Sequence, residues 1–218
     1  MSEPSAYFLI AHGSRDPRSR QALEACATLV RQQLADHSSL AQAWPFVGAG
    51  VLEGGEAPLS VQMATFANTA ARNSIHRIFL MPLFLMSGNH VNDDLPAAVS
   101  LAQDTLSQLN CSVDLVLCPH LGSHPQIAAL VRSQREGLMC DHWVMLAHGT
   151  RRPGGNAAFE ALAVQLNAMP AYWAMEPTLE MQLRTLTPDT PQTVGVMPYF
   201  LCAGSIVDAI CTEVDRLG

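Results

Sequence analysis

Strand-length apolar runs alternating with helix-length amphipathic stretches predict an α/β fold. The runs are too continuous for half-exposed strands, which places them in parallel sheets covered by helices on both faces. Two landmark segments also recur in the same order, which marks a tandem duplication. The expected architecture is two similar doubly wound parallel-sheet lobes, residues 1–122 and 123–218, with the active site in the cleft between them.

The strands are expected at 7–11, 46–52, 77–85, 112–117, 142–147, 172–175 and 193–201. Helices fall between them. One covers 19–34, with Leu23, Ala27, Val30 and Leu34 on one face, and another covers 59–71, with Val61, Ala64, Thr65 and Asn68 at helical spacing. Asp16-Pro17 and Ala57-Pro58 supply their starts, because proline at a first helical position gives up an N–H that would have no partner there. The lobe boundary is expected near 121–125, where Gly122 and Pro125 flank a new helix.

The duplication is explicit. Phe8-Leu9-Ile10-Ala11-His12-Gly13-Ser14-Arg15 returns as Val144-Met145-Leu146-Ala147-His148-Gly149-Thr150-Arg151. Met81-Pro82-Leu83-Phe84-Leu85-Met86-Ser87-Gly88 returns as Met197-Pro198-Tyr199-Phe200-Leu201-Cys202-Ala203-Gly204. The second copy keeps His148, but Ile206 stands at the place of His90. One active site, built by the first half, follows.

Composition narrows the function. With 49% hydrophobic and 14% charged residues over 218, the chain is not disordered, and a net charge of −7 argues against a general nucleic-acid binder. The six cysteines form no C-x-x-C pair, so neither a zinc ribbon nor an iron–sulfur cluster is indicated. The first residues lack a basic signal-peptide region, and the run at 78–86 is interrupted by Pro82 and too short for a membrane span. A cytoplasmic protein is expected.

In doubly wound sheets, ligands bind beyond the carboxyl ends of the strands. His12 stands at such an end, followed by a glycine turn and by Arg15, Arg18 and Arg20, and His90 follows the third strand after the turn Ser87-Gly88-Asn89. Two imidazoles meeting in one crevice suit a divalent first-row metal, and open coordination positions let it be held transiently.

The signatures FLIAHGSRDPR and PLFLMSGNHVNDDLP resemble those of the class II anaerobic tetrapyrrole chelatases, in the long two-repeat form of the sirohydrochlorin cobalt- or ferrochelatases. The similarity covers nearly the whole chain. It implies a chelatase-like fold and ATP-independent insertion of a divalent metal into sirohydrochlorin, in siroheme or cobalamin biosynthesis. His12 and His90 are then the metal-binding and proton-accepting residues. The metal (Co²⁺, Fe²⁺ or Ni²⁺) is a substrate, and no permanently bound cofactor is expected.

The resemblance also implies a carboxylate from an L-E-x-x-E-P segment. Here Leu52-Glu53-Gly54-Gly55-Glu56-Ala57-Pro58 carries one extra residue, which makes Glu56 the match and Glu53 the alternative. Glu176-Pro177 in the second copy supports Glu56 by internal symmetry. Ser14, Arg15, Gly88 and Asn89 are the expected substrate contacts, and Arg18, Arg20, Arg151 and Arg152 add to a cationic clamp for a polycarboxylate. Asp93 and Asp94 either orient His90 or favour a helix N-terminus.

Two other functions share parts of this pattern. Histidine phosphatases share an H-G turn after a strand, but they place arginine before the histidine, where this chain has Ala11. A non-catalytic metal or tetrapyrrole carrier would use the same ligands, and turnover distinguishes it. Two covalent copies can replace a homodimer, so a monomer suffices.

Overall fold

Strands and helices alternate throughout the computed structural model, which describes residues 4–37, 46–186 and 192–217. The order is β1 (Ser5–Ala11), α1 (Pro17–His37), β2 (Phe46–Val51), α2 (Leu59–Arg72), β3 (Arg77–Pro82), a π turn (His90–Asp94) running into α3 (Leu95–Gln108), and β4 (Asp114–Leu117). A short 3₁₀ turn (Leu121–Ser123) leads to α4 (Ile127–Ser133), β5 (His142–Ala147), α5 (Ala157–Gln165), β6 (Met169–Tyr172), α6 (Leu179–Thr185), β7 (Val194–Pro198) and α7 (Ser205–Leu217). Two compact units result. The first runs to Phe84 and resumes over Asn89–Leu121, and the second takes Leu85–Gly88 and the chain from Gly122 onward.

The first unit holds a parallel sheet in the order β2-β1-β3-β4. The chain leaves β1 toward β2 and then crosses to β3 on the other side, so the strand order reverses between β1 and β3. Crevices open at such points. Alternation along β1 explains why both faces are covered: Ala6, Phe8 and Ile10 enter a core with Leu59, Met63 and Ala67 of α2 and Leu95, Ala102 and Leu106 of α3. Leu9 and Ala11 enter another with Leu23 and Ala27 of α1. In β2, Gly48 and Gly50 leave room for the rings of Phe66 and Phe8, which a Cβ would meet at 2.4 and 2.7 Å.

β2 forms one edge of this sheet, and side chains take up outward backbone groups at Val47 and Val51. The Gln62 amide accepts from the Val51 N–H at 3.1 Å and donates to the Val51 carbonyl at 3.0 Å, while Arg31 donates to the Val47 carbonyl at 2.8 Å.

The second unit repeats the plan with the parallel order β6-β5-β7. Met145 and Ala147 pack with Phe159, Leu162 and Ala163 of α5, and Val144 and Leu146 with Leu179 of α6 and Ile210 of α7. Three backbone bonds beyond the regular ladders occur in both units. Leu52 donates to the Ala11 carbonyl, Glu53 to His12 and Leu83 to Ile10, and correspondingly Trp173 donates to Ala147, Ala174 to His148 and Tyr199 to Leu146.

Strands fall where apolar runs predict them, with two adjustments that concern proline. The third and seventh strands end at Pro82 and Pro198 rather than continuing to 85 and 201. The sixth covers Met169–Tyr172 rather than 172–175, because an edge strand tolerates Pro170, whose missing N–H sequence patterning reads as a break. The face of α2 also differs from expectation. Leu59, Met63, Ala64, Ala67 and Ala70 are buried while Val61 is 47% exposed, since the stripe through Met63 and Ala67 carries more apolar surface than one through Thr65 and Asn68. Among the described residues, no helix is long and apolar enough to cross a membrane.

Candidate metal-binding site

His12 follows β1 directly, and its neighbour Gly13 has φ +87°, in the left-handed region that favours glycine. A Cβ there would lie 2.0 Å from the Glu53 carbonyl oxygen, so glycine is required for the two turns to approach. His90 begins the π turn ahead of α3. Although 78 residues separate them in sequence, the two Nε2 atoms lie 3.1 Å apart with the rings edge to face, centroids 4.6 Å apart.

The remaining ring nitrogens define the chemistry. His12 Nδ1 is 2.9 Å from the Gly13 carbonyl, and His90 Nδ1 is 2.7 Å from Asp94 Oδ2. Both partners are acceptors, so each neutral ring carries its proton on Nδ1 and directs a bare lone pair from Nε2 toward the other ring. Two lone pairs facing each other at this distance repel unless a cation lies between or beside them. The arrangement therefore favours an electrophile.

A carboxylate completes it. Ligand atoms of His12, Glu53 and His90 all lie within 4.8 Å of one another. Glu53 takes this place because the β1–β2 ladder continues past the strand ends, through Leu52 to Ala11 and Glu53 to His12, before Gly54 with φ +70° turns the chain away. Glu56, the expected carboxylate, lies outside the cluster; its side chain is 92% exposed and 3.9 Å from Arg20. In the second unit the counterpart of Glu53 is Ala174, whose N–H donates to the His148 carbonyl, so the repeat carries no carboxylate at this place.

Phe84, 9% exposed, forms an apolar wall with its ring centroid 6.4 Å from that of His12 and 6.3 Å from that of His90. The repeated M-P-x-F segment was the sequence signal that could have singled it out.

Other expected site residues are distributed as follows. Ser14 Oγ accepts from the Asp16 N–H at 3.0 Å, and Asp16 binds Arg18 through a 2.6 Å ion pair. That guanidinium holds the Asp16 carboxyl below the usual carboxylate range. Of the three arginines after His12, Arg18 is thus engaged by Asp16 and Arg20 is near Glu56, while exposed Arg15 makes no ion pair among the described residues. Gly88 is the last residue of the second unit's 85–88 segment, and Asn89 directly precedes the π turn. In the second unit, His148 is exposed, and Ile206 packs against its core.

The CbiX family model matches residues 6–136 and 142–217. This chain belongs to the CbiX family. Proteins similar to this CbiX-family chain include the sirohydrochlorin cobaltochelatase of Methanosarcina acetivorans, 32% identical over 134 residues that make up 60% of this chain and 94% of that protein. The sirohydrochlorin cobaltochelatase of Methanosarcina barkeri is 29% identical over the same shares. Among solved structures, SirB from Bacillus subtilis with Fe³⁺ superposes with a TM-score of 0.73 at 21% identity, covering 98% of this chain and 83% of SirB. CbiX, described as the terminal enzyme for biosynthesis of siroheme in denitrifying bacteria, gives 0.61 at 19%, covering 97% and 84%. The fold of this CbiX chain is thus the chelatase fold that its two motifs resemble.

Proposed function

We propose that the protein inserts a divalent metal into sirohydrochlorin without nucleotide, using the site of the first lobe. The observation that carries this reading is the pair of facing Nε2 atoms with the Glu53 carboxylate beside them. Two imidazoles and one carboxylate suit Co²⁺, Fe²⁺ and Ni²⁺ alike. Three ligands leave coordination positions open, so the metal can be passed on to four pyrrole nitrogens rather than trapped. Relatives bearing the name sirohydrochlorin cobaltochelatase, and SirB structures with Fe³⁺ and with cobalt, support the same substrates.

Insertion replaces two pyrrole protons by one metal ion, so two protons must leave as the metal enters. As the metal passes from Nε2 to the macrocycle, the vacated lone pairs of His12 and His90 are placed to accept them. Arg15, exposed and without an ion pair among the described residues, is a contact for a substrate carboxylate, along with Ser14, Gly88 and Asn89. In this reading the second lobe, 123–218, is a degenerate repeat acting in the same cytoplasmic, monomeric chain. It keeps His148 but has Ala174 and Ile206 in place of the other two ligands.

The test follows sirohydrochlorin absorbance anaerobically with Co²⁺, Fe²⁺ or Ni²⁺. Metallated product in excess of protein is expected, with a loss of at least ~100-fold in His12→Ala and His90→Ala and little change in His148→Ala. Full rates in both of the first two variants would overturn the site, and strictly stoichiometric transfer would make the protein a carrier.

A further inference from the structure

We infer that Asp94, together with the π turn that precedes Pro96, is the positioning device that keeps His90 open to metal. The inference rests on the metal-binding reading of His12 and His90 and assigns a role to the D-L-P end of the second signature.

The helical path from His90 into α3 is uninterrupted, yet Pro96 lies in its first α-helical turn. Within a regular helix, proline withholds the N–H that residue i−4 would receive, and its ring collides with that carbonyl, here Asn92. A wider turn relieves the collision. The Leu95 N–H reaches back to the His90 carbonyl, a π-type bond, and Leu95 itself is fully buried and anchors the turn in the core. His90 and Asp94 are thereby presented together, with Nδ1 and Oδ2 2.7 Å apart.

This pair contributes little to stability, because its side chains are 36% and 50% exposed to competing water. Its effect is on the tautomer. His12 is fixed by the Gly13 carbonyl, so its Nε2 is a lone-pair acceptor whatever Asp94 does. Without Asp94, a neutral His90 is free to carry its proton on Nε2 and donate it to His12 Nε2, 3.1 Å away. An N–H···N hydrogen bond would then close the site, and an arriving metal would have to break it. By holding the proton on Nδ1, Asp94 denies the two histidines this mutual satisfaction.

The test uses the full chain without metal or tetrapyrrole. Two-bond ¹⁵N–¹H correlations report the tautomer of His90, and Co²⁺ titration followed by visible absorbance reports affinity. The wild type should show Nδ1–H on both rings. Asp94→Ala should populate the Nε2–H form of His90 and weaken Co²⁺ about 10- to 100-fold, a loss typical for partners of metal-ligating histidine. Asp94→Asn, whose amide oxygen still accepts from Nδ1–H, should recover part of both. Pro96→Ala, which permits a regular turn, should weaken Co²⁺ with Asp94 intact. Far-UV circular dichroism checks that each variant folds. An unchanged His90 tautomer in folded Asp94→Ala overturns the inference, as does unchanged Co²⁺ affinity. Failure of the wild type to bind Co²⁺ would instead count against the proposed function, while the metal-free tautomer readout would still decide the role of Asp94.

Discussion

The backbone N–H of Glu53 donates to the carbonyl of His12 at 2.8 Å, one step beyond the last paired residues of β1 and β2. A main-chain bond thus holds a carboxylate-bearing residue beside an imidazole-bearing one, and ties the candidate metal site to the end of the sheet. Glu53→Gln should weaken Co²⁺ by at least ~10-fold, because a direct ligand matters no less than the groups that orient ligands. Glu56→Gln should leave affinity unchanged. Parallel Co²⁺ titrations of the two variants decide between the carboxylates.

Gly13→Ala should be among the more damaging single-methyl changes in the first unit. Alanine at φ +87° is strained, and its Cβ would lie 2.0 Å from the Glu53 carbonyl oxygen, so the β1 and β2 turns must separate. A loss of roughly 1–3 kcal/mol in urea unfolding is expected, accompanied by weaker Co²⁺ binding. Gly88→Ala is the control: an added Cβ meets nothing within 4 Å, and the change should stay within about 0.5 kcal/mol.

Arg15→Ala should raise KM for sirohydrochlorin by roughly 10-fold, about the 1.4 kcal/mol that separates decades of affinity. The effect should shrink as ionic strength rises, since an exposed guanidinium acts across screened solvent. Arg18→Ala should change KM less, because Asp16 already engages that side chain. Steady-state kinetics at two salt concentrations separates the two arginines.

Burial pushes the Tyr199 hydroxyl up to about 12. An unfolded tyrosine ionises near ~10, so between these values the unfolded chain binds fewer protons than the folded one. Stability contributed by neutral Tyr199 is full below ~10 and is lost as pH rises toward 12. Tyr199→Phe should reduce the alkaline slope of unfolding free energy by up to roughly one proton, measured by urea titrations from pH 9 upward. Tyr172, raised by burial and by its hydrogen bond to Glu160, contributes in the same direction.

The alternation of apolar runs was enough to place all but one of the seven strands along the chain, to within a few residues at their ends, the sixth being displaced. The strand ends that carry His12 and His90 followed, because parallel βαβ units leave their loops at the carboxyl edge. Spacing left Glu53 as the alternative to Glu56, because the main-chain bond from Glu53 to His12 that brings Glu53 into the cluster has no signature in the sequence. The repeated M-P-x-F segment marks Phe84, but not its role, which depends on two rings distant in sequence. The engagement of Arg18 by Asp16 was likewise invisible in a run of arginines that reads as uniformly available.

An open parallel sheet ordinarily ends in a strand whose outer amides can template the strand of another molecule. At β2 that template is partly occupied from within the chain, at Val47 and Val51. The carboxamide of Gln62 lies along Val51 as a neighbouring peptide group would, and the Arg31 guanidinium takes the Val47 carbonyl. Two polar side chains on flanking helices therefore act as a one-residue-thick surrogate strand. Growth of the sheet past β2, whether into a larger assembly or into cross-β aggregate, would have to displace them first.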